Sequence, residues 1–206
     1  MNSVNFLAPR NSGFTMIEVL VSLLVITFGL LGLAGLQTRM QQAEFESYQR
    51  SQALVLLYDM VDRININRAT APCFVITTDP AAGVNYLGAG AASPPACGYS
   101  TSGNNASADS AIAEWDNLLK GAAETKVGNQ VGAMIGARGC ISYDSASELP
   151  DPAGAALAGT GIYTVTVAWQ GTVETFVPPV SCANNLYGTE LRRRVVSTTF
   201  RLAHLK

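Results

Sequence analysis

Hydrophobic and polar positions along this chain fall into stretches of different period. A short polar leader, residues 1–13, is followed by an almost unbroken apolar run. Between Glu18 and Arg39 lie twenty residues without a single Asp, Glu, Lys or Arg. At about 1.5 Å of rise per residue that run makes roughly 30 Å of helix, enough to cross a bilayer core. Past it the pattern turns amphipathic. Ala53, Leu54, Leu56, Leu57, Met60, Val61 and Ile64 fall within an arc of about 160° on a helical wheel, with Asp59, Asp62 and Arg63 on the other side. The pattern predicts one long helix to about Arg68, with Pro72 barring its continuation.

The remainder reads as loops, one short helix and strands. Residues 79–111 are rich in Gly, Ala, Ser, Asn and Pro and read as a long loop. A short helix is expected next, capped by Asp109 or Ser110 and stopped at Gly121, with Ile112, Trp115, Leu118 and Leu119 as its apolar face. Strands are expected from Gly139 to Tyr143, around Tyr163–Trp169 with its period of two, and from Val195 to Leu202. An antiparallel sheet packed on the amphipathic half of the helix would bury both apolar stripes. The expected fold class is therefore α+β. Trp115 and Trp169 are expected in the core, and His204 exposed.

The lone carboxylate of the apolar run carries the candidate chemistry. A charge inside such a segment costs about 2.5–3.5 kcal/mol at full depth and less near the surface, so Glu18 calls for a partner. The order of segments is the reverse of a secretory signal peptide, whose apolar region precedes its cleavage site. Cleavage after Gly13 would instead retain the apolar helix and make Phe14 the first residue. Glu18 would then stand one helical turn from a new α-amine, which is mostly protonated at neutral pH. At ~4 Å and an effective dielectric near 20, their attraction is about 4 kcal/mol before desolvation is subtracted. A protomer can satisfy that pair within its own first turn. Gly29, Gly32 and Gly35 weaken the helix backbone, each by about 1 kcal/mol relative to Ala, and close packing of neighbouring helices is the favoured reason.

Gly13-Phe14-Thr15-Met16-Ile17-Glu18 followed by the uncharged run resembles the class III leader of type IV prepilins and pseudopilins, a likeness covering roughly residues 8–40. The resemblance implies that a membrane prepilin peptidase cuts between Gly13 and Phe14 and N-methylates Phe14. It implies too that Glu18 meets the amine of a neighbouring subunit during filament assembly. The expected divisions are a leader (1–13), a transmembrane and filament-core half-helix (14–38), an amphipathic half-helix (39–68) and a periplasmic β-rich domain (69–206). The segments Leu54–Asn65, Tyr163–Gly171 and Arg192–Thr198 further resemble PilV-type minor pilins, the type IV pilus modification proteins. That likeness implies a minor subunit acting in initiation of pilus assembly at the tip, and hence in twitching motility and adhesion. Its partners would be the inner membrane, other minor pilins, the major pilin and a tip adhesin. A minor pseudopilin of a type II secretion system, built on the same helix and sheet, is the alternative.

Composition narrows the rest. A formal charge of −2, with 14% of residues charged, offers no basic surface for nucleic acid. Cys73, Cys97, Cys140 and Cys182 all follow the apolar run, none in a C-x-x-C, and an even count in an exported domain reads as two disulfides. Three connectivities are possible. Cys73–Cys97, closing a Gly/Pro-rich loop, and Cys140–Cys182, tying a strand to a later loop, are the expectation. With one histidine and no G-x-S-x-G, phosphate loop or H-E-x-x-H, neither an enzyme nor a cofactor or metal site is expected. Arg192-Arg193-Arg194 is expected to be a solvated strand entrance, with docking of an acidic partner the less favoured reading.

Overall fold

The computed structural model describes residues 13–122, 125–127, 129–130, 132 and 134–203. The chain divides into two units, Met1–Glu44 and Phe45–Lys206. The first holds the opening part of helix α1, which runs Met16–Ile66. Its large apolar side chains, such as Leu20, Ile26, Phe28 and Leu31, are all exposed. Water does not tolerate such a surface without a cover, and the helix is long and apolar enough to cross a membrane.

Within the second unit the amphipathic stripe behaves as the spacing predicts. Ala53, Leu56, Leu57, Met60 and Ile64 are buried, whereas Leu54 at the margin of the arc is exposed. The charged side is less free than the wheel suggests. Arg63 pairs with Asp59 at 2.7 Å and with Glu114 at 2.8 Å, and it donates to the Ala111 carbonyl, so this flank is fastened to a second helix. Past Ile66, the Asn67 amide donates to the Arg63 carbonyl, and a 3₁₀ segment, Arg68–Phe74, carries the chain through Pro72.

That second helix, α2, spans Ser102–Leu119 and corrects the expected boundary. The cap is Thr101, whose hydroxyl accepts from the Asn104 N–H, not Asp109 or Ser110. Local composition concealed this. Asn105, a residue that favours turns, has its amide bonded to the Ser100 carbonyl and N–H, which leaves the backbone free to coil. Ala108 and Ala111 are buried, so the small residues expected to form a loop make a close-packed helix face. Ile112, Trp115 and Leu119 are buried as the apolar pattern requires.

The sheet has order β1-β4-β5-β6, all antiparallel, from Leu87–Gly88, Ile135–Asp144, Ile162–Gln170 and Arg193–Arg201. A separate pair, β2 (Thr125–Lys126) and β3 (Asn129–Gln130), lies outside it. Tyr163, Val165, Val167 and Trp169 of β5 face the helices, joined by Ile141 from β4 and Val196 from β6. This is the α+β pilin-like arrangement: a long apolar N-terminal helix whose second half packs with a four-stranded antiparallel sheet. The opposite sheet face is covered as well. Ala168 and Cys140 are buried beneath Cys182, Ala183 and Tyr187 of the segment leading into β6. Disulfides join Cys73 to Cys97 and Cys140 to Cys182. The first staples the loop after the 3₁₀ segment, and the second pins that covering segment to β4.

Candidate functional site

At the N-terminus the residues singled out by the sequence lie on open backbone. Gly13 and Phe14 precede the helix, no described residue comes within 4 Å of a Cβ added at Gly13, and Phe14 is 83% exposed. Backbone outside the helix beside so exposed a side chain suits an enzyme that must bind the chain across its active site. Thr15 begins the helix: its hydroxyl accepts from the Glu18 N–H at 3.4 Å, and its carbonyl accepts from Glu18 and Val19. Thr15-Met16-Ile17-Glu18 is the S/T-x-x-E pattern of a capping box, a signal that the sequence carries in addition to the leader motif. Of that box the structure shows the threonine half, which gives Thr15 a local task besides any in assembly. Glu18 also stands in the first turn, where the helix dipole favours a negative charge. No described residue pairs with its carboxylate, so its position is prepared while its partner is left open.

Gly29, Gly32 and Gly35 open onto free space, with nothing within 4 Å of a Cβ added at any of them. They leave a low surface on an exposed apolar helix, which suits close approach by a neighbouring helix.

The arginine run is the clearest departure from expectation. Arg193 is almost wholly buried, pairs with Glu190 at 2.6 Å, and donates to the carbonyls of Val180, Cys182 and Pro178. Arg194 reaches Glu46 on α1 at 3.3 Å and the Val173 carbonyl, and Arg192 pairs with Glu174 at 3.6 Å. Arg192 stays exposed, as a solvated strand entrance would, whereas Arg193 and Arg194 are internal ties. The charge of Arg193 is satisfied because the segment before β6 folds back over the sheet and presents its carbonyls. Trp115 and Trp169 lie in the core, and His204 falls outside the described residues. Among the described residues no cluster of His, Cys, Asp or Glu could hold a metal ion.

Glu46 is a structural residue that the sequence did not advertise. Its carboxylate accepts from the Thr172 N–H and hydroxyl, the Val173 N–H and Arg194, at 2.8–3.3 Å. Burial alone would raise its pKa, but these donors outweigh it and hold the carboxyl below its usual 4.5. A carboxyl depressed in the folded state stabilises at full strength above its unfolded pKa, and the contribution is lost as pH falls through the folded value. Glu46→Gln should therefore cost about 1.5 kcal/mol at neutral pH. Urea midpoints for the detergent-solubilised protein should show that deficit at pH 7 and lose it well below pH 4.5. An equal deficit at both pH values would contradict the ionic role.

Residues 8–34 match the prokaryotic N-terminal methylation motif. That motif supports a type IV pilin-like or pseudopilin protein. It implies processing by a prepilin peptidase and assembly with other pilins as a structural subunit. Neither the curated proteins nor the solved structures contain a match to this chain. The motif and the apolar helix together fit a membrane-anchored pilin that later becomes part of a filament.

Proposed function

We infer that this protein is a minor pilin of a type IV pilus, which helps to initiate assembly in a complex at the filament tip and so supports twitching motility and adhesion. One observation carries the reading: a Gly13–Phe14 junction and Glu18 stand ahead of twenty uncharged residues, and a disulfide-bonded α+β domain comes after them. The likeness of Leu54–Asn65, Tyr163–Gly171 and Arg192–Thr198 to PilV-type minor pilins favours the pilus over a type II secretion system. In this account residues 1–13 are removed, Phe14 is N-methylated, and residues 14–38 hold the subunit in the inner membrane and later in the filament core. Residues 39–68 form the amphipathic half-helix, and residues 69–206 fold in the periplasm. Other minor pilins, the major pilin and a tip adhesin are its neighbours.

Mass spectrometry of the protein from its own membrane should find N-methyl-Phe14 as the first residue, and a deletion strain should lose surface pili while exporting its secreted proteins normally. An intact residue 1–13 segment on working protein would defeat the pilin reading. Lost secretion with normal pili would replace the pilus by the secretion system.

A further inference from the structure

The two edges of the four-stranded sheet differ. β1, at one side, is only two residues long, Leu87–Gly88, too short to template a partner strand. β6, at the other, keeps an unbroken register with β5 along Arg193–Arg201. From Val195 to Phe200 it carries no Pro, no charge and no bulge. Those are the devices by which an open edge ordinarily avoids pairing with another chain.

The ladder fixes which backbone groups are free. The Gly171 N–H donates to the Arg192 carbonyl at 2.8 Å, and hydrogen-bonded pairs alternate along antiparallel strands. Arg194, Val196, Thr198 and Phe200 therefore bond to β5, whereas Val195, Ser197 and Thr199 turn N–H and carbonyl away from it. None of these outward groups has a partner among the described residues, and Ser197 and Thr199 are exposed.

Where this free edge begins, a cleft of about 390 Å³ opens over Val195 and Val196, between Arg50 of α1 and Phe176 with Pro178. Phe176 is 72% exposed, so the cleft has an apolar lip. The carboxylates of that region are engaged: Glu46 holds Arg194, and Glu174 pairs with Arg192. Arg50 has no acidic partner among the described residues. Nor has Arg201 at the far end of the edge, which donates to the Ser147 and Thr160 carbonyls. A ladder with open donors and acceptors thus runs between two guanidiniums that lack carboxylates.

We propose that β6 is a docking edge for another protein: an extended acidic segment of a partner chain adds to it as a fifth strand. That segment exchanges main-chain hydrogen bonds with Val195, Ser197 and Thr199, places one apolar side chain in the cleft, and sets carboxylates on Arg50 and Arg201. Main-chain bonds supply the affinity, and the cleft and the two guanidiniums supply the selection. A second copy of this chain is the poorer occupant. Antiparallel β6 strands centred on each other would set the Arg201 end of one against the Arg193–Arg194 end of the other. The site belongs to the folded domain, so it goes beyond the pilus reading and does not depend on it.

The test uses full-length protein in detergent and a fluorescein-labelled peptide of about eight residues, Val and Thr in alternation with Glu at each end. Fluorescence anisotropy should show saturable binding. The same peptide methylated at every backbone nitrogen should bind about tenfold more weakly or worse. Arg50→Glu should cost the acidic peptide about tenfold and favour a version in which one Glu is Lys. Thr199→Pro deletes an outward N–H where an edge strand tolerates proline, and should weaken binding as well. If that variant does not fold, Arg50→Glu, on an exposed helix position, decides alone. Binding that survives methylation, or that ignores Arg50→Glu, places the peptide elsewhere and overturns the edge. No binding overturns it too and leaves the pilin reading standing. A sedimentation coefficient that rises with protein concentration and is flattened by Thr199→Pro assigns the edge to a second copy and overturns the acidic partner.

Discussion

Glu18→Ala is expected to leave a folded, membrane-inserted subunit that is missing from filaments. The carboxylate stands in the first turn of an exposed apolar helix with no described partner, so its removal takes nothing from the domain. What it removes is the attraction for a nearby amine, about 4 kcal/mol before desolvation. If a third of that survives desolvation, incorporation falls about tenfold, since each 1.4 kcal/mol is a factor of ten. Immunoblots of membranes and of sheared filaments measure the two populations separately. The capping geometry supplies the control. Thr15→Ala removes the hydroxyl that accepts from the Glu18 N–H and costs about 1 kcal/mol of helix start, yet it keeps the carboxylate. A defect confined to Glu18→Ala assigns the effect to charge pairing. Equal defects would assign it to the helix cap, and wild-type incorporation of Glu18→Ala would end the pairing idea.

Trp115→Ala should be the most damaging single change in the domain. Trp115 is completely buried on α2, its indole N–H donates to the Leu56 carbonyl of α1 at 2.8 Å, and its ring lies flush on Gly139 of β4. A Cβ added at Gly139 would come within 2.1 Å of that ring. One side chain therefore joins both helices to the sheet. Truncating a buried Trp costs about 3–5 kcal/mol, a large share of the roughly 5–15 kcal/mol that holds a domain folded. Gly139→Ala attacks the same contact from the sheet side, by overpacking, and should cost about 1–3 kcal/mol. Urea unfolding of the detergent-solubilised variants, followed by far-ultraviolet circular dichroism, measures both. A loss under 1 kcal/mol for Trp115→Ala would mean that the three elements hold without it.

Legibility differed from element to element. The helical stripe from Ala53 to Ile64 could be read because its partner is the rest of the domain, and a 3.6-residue period records which face is dry. The alternation in β5 likewise marked Tyr163, Val165, Val167 and Trp169 as the helix-facing row. It did not mark the second face, since Thr166 and Ala168 are small or polar and are buried only because a later segment lies over them. The first half of α2 was hidden for a related reason. Asn, Ser, Gly and Ala carry no strong helical period, and the Thr101 cap and the burial of Ala108 are what make them coil.

By itself the amino-acid order determined what depends on neighbours in the chain: the uncharged run, the Gly13–Phe14 junction with Glu18 one turn on, the amphipathic stripe and the α+β class. These are local because hydropathy and periodicity act over a few turns. Tertiary structure alone decided the rest. It turned Arg193 and Arg194 from part of an expected solvated run into internal ties, made Glu46 the latch for a loop 126 residues away, and put Phe176 and Arg50 on one cleft. Those contacts pair groups that no local pattern connects, and a charge or an aromatic ring takes its meaning from whatever the fold brings against it.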